Sequence, residues 1–92
     1  MRQISVLSSA QKDLYKIQTY TFKMWGDLKA VELQNIVDSA YRFLTFSPFV
    51  GKKTKFKNTY ALVLGKLPFV MIYKVDDDYI YISQFIHTKR KR

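Results

Sequence analysis

A chain of 92 residues with a net charge of +9 is one small domain, spanning residues 1–92, that buries roughly two-thirds of the surface its unfolded form exposes. It holds no cysteine and one histidine, which excludes disulfides and any His/Cys metal cluster and fits a reducing cytoplasm. Its longest purely apolar run is the seven residues Leu67 to Tyr73, far short of the about twenty that a membrane-spanning helix needs.

The half-polar N-terminus MRQISVLSSAQKD does not read as a signal peptide. With 48% apolar and 16% aromatic residues, the chain has enough to build a core, so disorder is expected only at the tail, residues 88–92.

In chain order, RQISVL (2–7) puts Ile4 and Val6 on one face and predicts a short first strand. Ser8 and Gln11 have capping-box spacing, with Ser8 positioned to cap the helix that follows. That helix carries Ala10, Leu14, Ile17, Thr21 and Met24 as one stripe. Gly26 ends it, and Asp27 is placed to cap the next helix. The second helix shows Ala30, Leu33, Val37, Ala40 and Leu44 in one stripe, widened by Ile36 and Phe43. A link this short predicts an antiparallel helical hairpin, with Trp25 packed as a cap at its end.

Pro48 and Gly51 end the regular structure, and KKTKFKN (52–58) reads as a basic loop. Three strand-like runs follow: 59–64, 68–75 and 79–87. Gly65-Lys66 and the triplet Asp76-Asp77-Asp78 separate them as hairpin turns, which makes the strands antiparallel neighbours. The order is β-α-α-β-β-β, an α+β fold with a small antiparallel sheet and the helical hairpin on one face. In the last run Ile80, Ile82 and Ile86 alternate toward the core. Tyr79, Tyr81, Phe85 and His87 then fall on the uncovered side, where exposed aromatics mark a partner site.

The charge is lopsided. Residues 1–50 carry six Lys and Arg against four Asp and Glu, whereas residues 51–92 carry ten against three. This asymmetry points to an acidic or polyanionic partner met mainly by the second half. Lys52, Lys53, Lys55 and Lys57 form one cationic cluster, and Lys89, Arg90, Lys91 and Arg92 form another. They suit either a sugar–phosphate backbone, with Phe56 stacking on a base, or solvent alone. His87 reads either as a general acid or base beside Lys89 and Arg90, or as a strand-end histidine bonded to backbone. No phosphate-binding glycine loop and no calcium-loop spacing is present.

Five short motifs occur in order along nearly the whole chain. They are Ala10-x-x-Asp13-Leu14; Tyr20-Thr21 with Trp25-Gly26; Leu44, Pro48 and Gly51; Pro68-Phe69-Val70 with Tyr73-Lys74-Val75; and Ile86-His87 with Arg90. Together they resemble the ParE branch of the RelE/ParE superfamily, the toxins of bacterial type II toxin–antitoxin systems. The resemblance implies the same β-α-α-β-β-β order, no cofactor and a cytoplasmic protein of the kind tied to plasmid stabilisation. It also implies a cognate antitoxin laid across the open sheet face. The exposed aromatics proposed to meet it are Phe69, Met71, Tyr73, Tyr81 and Phe85, although the alternation of Phe69, Met71 and Tyr73 against Val70, Ile72 and Lys74 leaves open which face of 68–75 is outward.

It implies one of two activities. ParE-like members inhibit DNA gyrase without a catalytic centre of their own. RelE-like members cut mRNA in the ribosomal A site, and here the candidate catalytic residues would be His87, Arg90, Lys55 and Lys57. Target or nucleic-acid contacts would come from Lys52, Lys53, Lys55, Lys57, Lys89 and Arg90. The helix end YTFKMWG is more typical of the ParE branch. In addition, Tyr60 stands where the nuclease branch often has an arginine. A basic nucleic-acid-binding domain without toxicity is the remaining reading.

Overall fold

The computed structural model describes residues 1–88. Strand β1 (Gln3–Val6) leads into helices α1 (Ser8–Trp25) and α2 (Asp27–Phe46). Strands β2 (Lys52–Lys53), β3 (Thr59–Val63), β4 (Phe69–Val75) and β5 (Tyr79–His87) follow. They form one five-stranded sheet in the order β1-β5-β4-β3-β2. Neighbours are antiparallel except β1, which runs parallel to β5 at the edge. The expected α+β order is therefore present, with two additions. The helical hairpin carries the chain across the sheet before β5 forms, so β1 returns as a parallel neighbour. Part of the basic loop also pairs with β3 as the two-residue strand β2.

The helices cover one sheet face. Ala10 from α1, Leu33, Val37 and Leu44 from α2, and Tyr60, Leu64, Met71, Tyr73, Val75, Ile80, Ile82 and Phe85 from the sheet region make the core. Leu14 and Ile17 continue the α1 stripe, but it stops there: Met24, expected inside, is 56% exposed. The capping box is not formed either. Leu7 holds the N-cap position of α1, and the Gln11 amide donates to the Val6 carbonyl at 3.0 Å. Gly26, at φ 88°, joins the helices, and Asp27 begins α2 without a side-chain cap. A positive φ costs glycine no steric strain, which is why a one-residue link suffices.

Two particular contacts fix the sheet. Opposite β4, strand β5 carries one extra residue: Ile72 faces Gln84, and Tyr73 faces Ile82. Ser83 is the residue passed over, which makes a β-bulge. Helix α1 holds this irregularity: the Phe85 N–H donates to Asp13 Oδ2 at 3.1 Å, and Ser9 Oγ donates to the Ser83 carbonyl at 2.7 Å. At the other side, the Gly51 N–H donates to Tyr73 Oη at 2.9 Å. A Cβ at Gly51 would lie 2.7 Å from that oxygen, so only glycine lets the chain leaving α2 come this close.

Candidate functional site

The bulge decides which side chains face outward. Side chains alternate along a strand, so one extra residue moves everything beyond it to the other face. Ile80 and Ile82 point to the core as expected. Past Ser83 the order inverts: Phe85 is buried and Ile86 is 45% exposed. Along β4, Met71, Tyr73 and Val75 are buried, which leaves Val70, Ile72 and Lys74 on the open face.

The five residues expected to line the open face are therefore divided. Met71, Tyr73 and Phe85 are core residues at 0%, 0% and 6% exposure and do not line it. Phe69 is half-buried on the helix side, its ring edge-on to His87 with centroids 5.0 Å apart. Tyr81 alone of the five lies on the open face, stacked on Tyr79 at 5.6 Å. Ser83-Gln84, a polar pair between Ile82 and Phe85, is the sequence signal that would have revealed the shift.

What the open face presents follows from the register. Val63, Val70 and Ile86 lie side by side across β3, β4 and β5, with Val63 63% exposed. The next row is Lys52, Ala61, Ile72 and Gln84, and the one beyond is Thr59, Lys74 and Tyr81. An apolar band thus crosses one end of the sheet and gives way to lysine and tyrosine. This surface suits a partner with an apolar stripe bordered by acid.

Among the described residues, the candidate catalytic side chains His87, Lys55 and Lys57 are not brought together. The loop carrying Lys55 and Lys57 closes at the Thr59 end of β3, where the Val75 N–H donates to the Asn58 carbonyl. His87 faces Phe69 at the opposite end of β4. Those ends are the first and last of the seven residues of β4, about 20 Å apart. Lys53 faces Tyr60 at the sheet edge, and Lys55 Nζ lies 5.5 Å from its neighbour's Phe56 ring. Lys89 and Arg90 lie outside the described residues. Tyr60 is buried between Phe49 and Tyr73, with ring centroids 5.7 and 5.5 Å away, as a packing residue.

Titration is perturbed elsewhere. Asp76 accepts from the Tyr79 and Asp78 backbone N–H groups at 2.7 and 2.9 Å, which holds its carboxyl below the ordinary value of 3.8. Desolvation, then the hydrogen bond with Asp76, raises Tyr81. Burial and nearby Asp38 push Tyr41 up to about 12, and its hydroxyl finds no partner among the described residues. Among these residues no group of three His, Cys, Asp or Glu could hold a metal ion, and no helix is long and apolar enough to cross a membrane.

A hairpin of two long helices on one face of a mixed five-stranded sheet, with a cationic and apolar face left open, defines a small α+β fold. The model of the ParE toxins of type II toxin–antitoxin (parDE) systems matches residues 4–92. The chain belongs to that family. A solved structure, the chromosomal ParDE toxin–antitoxin system from P. aeruginosa, superposes with a TM-score of 0.83 at 19% identity, covering 97% of this chain and 98% of that one. At that identity the likeness bears on the fold. No curated protein sequence matches the chain.

Proposed function

We propose that this ParE-family toxin inhibits DNA gyrase, and thereby replication, in the cytoplasm, and that a cognate antitoxin neutralises it. The observation that carries the target is the separation of His87 from the lysine loop. General acid–base cleavage of RNA needs its groups within hydrogen-bond reach of one phosphodiester, and about 20 Å of strand lies between these. A protein that acts by binding an enzyme has no such requirement.

The antitoxin's site in this reading is the open face. An amphipathic segment sets its apolar side on Val63, Val70, Ile72 and Ile86, and its acidic side meets Lys52 and Lys74. These residues replace Met71, Tyr73 and Phe85 as the proposed contacts. Lys53, Lys55, Lys57, Lys89 and Arg90 remain proposed contacts to the target or its bound nucleic acid.

The test uses purified gyrase, relaxed plasmid and the full chain. Supercoiling is expected to fall with increasing toxin, and His87→Ala is expected to inhibit as well as the parent chain. Undiminished supercoiling, together with cleavage of mRNA in a translating ribosome mixture that His87→Ala abolishes, would overturn the reading in favour of the nuclease.

A further inference from the structure

From residue 39 to 75 the chain carries seven Lys and Arg and no Asp or Glu. The fold gathers five of these cations at one end of the sheet. Lys52 and Lys53 stand at its edge, opposite Ala61 and Tyr60 of β3. Lys74 stands opposite Thr59, where the 54–58 loop returns to the sheet. Lys55 and Lys57 flank Phe56 within that loop. All five are exposed, and among the described residues none of them forms an ion pair. The acidic turn after Val75 does not neutralise them. Asp76 is bent onto its own backbone, and Asp77 and Asp78 line a hollow with Met1, Arg2 and Gln3 on the β1 side.

Phe56 lies amid this charge and is 64% exposed. The loop fixes that exposure. The Phe56 N–H donates to Thr54 Oγ1 at 3.1 Å, and the Phe56 carbonyl accepts from the Thr59 N–H at 3.2 Å. The Thr54 N–H donates to the Thr59 carbonyl at 3.0 Å and closes the loop. Asn58 turns it at φ 60°, a left-handed conformation that asparagine tolerates better than most side chains. Lys55 Nζ lies over the ring, 5.5 Å from its centroid, which leaves the other ring face to a ligand. The tip of the helical hairpin, which overhangs the core, also shows a ring. Trp25, expected there as a packed cap, is 59% exposed and edge-on to Tyr20. Around it, however, Lys23 and Lys29 are matched by Asp27 and Glu32, so only Phe56 combines an outward ring with uncompensated charge.

These features select a ligand. Lysines spread over several points suit a repeating anion, and a rigidly held ring between them suits a flat group at low ordering cost. A sugar–phosphate chain with unpaired bases offers both. In a duplex the base faces are already stacked, and an acidic peptide has no flat group to lay on the ring. We infer that the sheet end formed by Lys52, Lys53, the 54–58 loop and Lys74 binds single-stranded nucleic acid, with phosphates on the lysines and a base on Phe56. The inference deepens the proposed role of the loop as a target contact, on which it rests, and it concerns binding without gyrase.

The full chain, made by cell-free synthesis without antitoxin, is titrated into fluorescent oligothymidine and oligouridine, and anisotropy is followed. Both single strands are expected to bind alike, because neither lysine nor ring reads the sugar. A duplex of the same length and polyglutamate are expected to bind at least roughly tenfold more weakly. With five phosphates met, single-strand affinity falls about a hundredfold between about 50 and 200 mM salt. Phe56→Ala is expected to lower affinity roughly tenfold without changing the salt slope, and Phe56→Tyr to keep it. Lys57→Ala is expected to reduce the slope by about 0.7, and Lys66→Ala, in the turn at the opposite end of β3, to leave it unchanged. Every variant keeps residues 89–92, so their charge cancels from the comparison, and circular dichroism confirms folding. No binding at the lower salt, equal affinity of Phe56→Ala and the parent chain, or a duplex or polyglutamate bound as tightly as the single strands would each overturn the inference. The assay contains no gyrase, so such a failure leaves the gyrase reading standing, and undiminished supercoiling leaves this one.

Discussion

Asp13 has the most specific task of any single side chain described. It lies in the Ala10-x-x-Asp13-Leu14 motif, and its carboxylate accepts the Phe85 N–H beyond the bulge. Removing the acceptor leaves a half-buried amide unpaired, which costs about 2 kcal/mol and lowers Tm by roughly 10 °C for a domain of this size. Asp13→Ala is expected to show that loss in thermal unfolding, and Asp13→Asn, which keeps an acceptor oxygen, a smaller one. Equal stability of Asp13→Ala and the parent chain would remove Asp13 from this role. Gly51 is the counterpart at the end of α2: its motif partner Pro48 lies in the turn after the helix, and its missing Cβ makes room for Tyr73 Oη. Both motifs are thus explained by backbone contacts to the sheet.

At the scale of elements, the β4–β5 hairpin sets which side chains the open sheet face presents. Its turn is held by Asp76, whose carboxylate accepts two backbone N–H groups. Because its folded value lies below 3.8, the contribution is complete above that pH and is lost as pH falls through the lowered folded value. Acid titration of Tm is expected to show this loss below pH 3.8, with Asp76→Asn flattening it; an unchanged acid limb would contradict the assignment. The face itself makes a second prediction. Ile86→Asp places a charge in the apolar row and is expected to abolish antitoxin rescue while the variant stays toxic. Intact rescue would move the antitoxin elsewhere.

The elements themselves were legible in the sequence. Two helical stripes, a glycine link and three alternating runs gave the order and the approximate bounds. The outward faces were not, because alternation taken straight through the polar pair Ser83-Gln84 misses the inserted residue, which shifts the period of two. The bulge in β5 reversed Phe85 and Ile86, while on β4 alternation alone did not say which of its two faces, Phe69-Met71-Tyr73 or Val70-Ile72-Lys74, turns to the helices. Nor was the overhang legible, since a 3.6-residue stripe shows that a helix is amphipathic but not where its partner ends. Met24 continues the α1 stripe beyond the sheet it would need to cover.

At the scale of the molecule, three surfaces divide the chemistry: an apolar and lysine-bearing sheet face, a cationic loop at one end of that sheet, and a neutral aromatic hairpin tip. The +9 charge makes complexes with acidic partners form fast and weaken with salt. His87 and the described lysines of the loop lie at opposite ends of β4, which supports the proposed inhibition of gyrase by binding over cleavage of RNA. The measurement that tests this most directly is a pulse-labelling time course after inducing the chain in bacteria, with DNA and protein synthesis followed in the same culture. The account predicts early loss of DNA synthesis while protein synthesis continues, and reversal when the antitoxin is supplied. Immediate loss of protein synthesis, with DNA synthesis falling only afterwards, would contradict it.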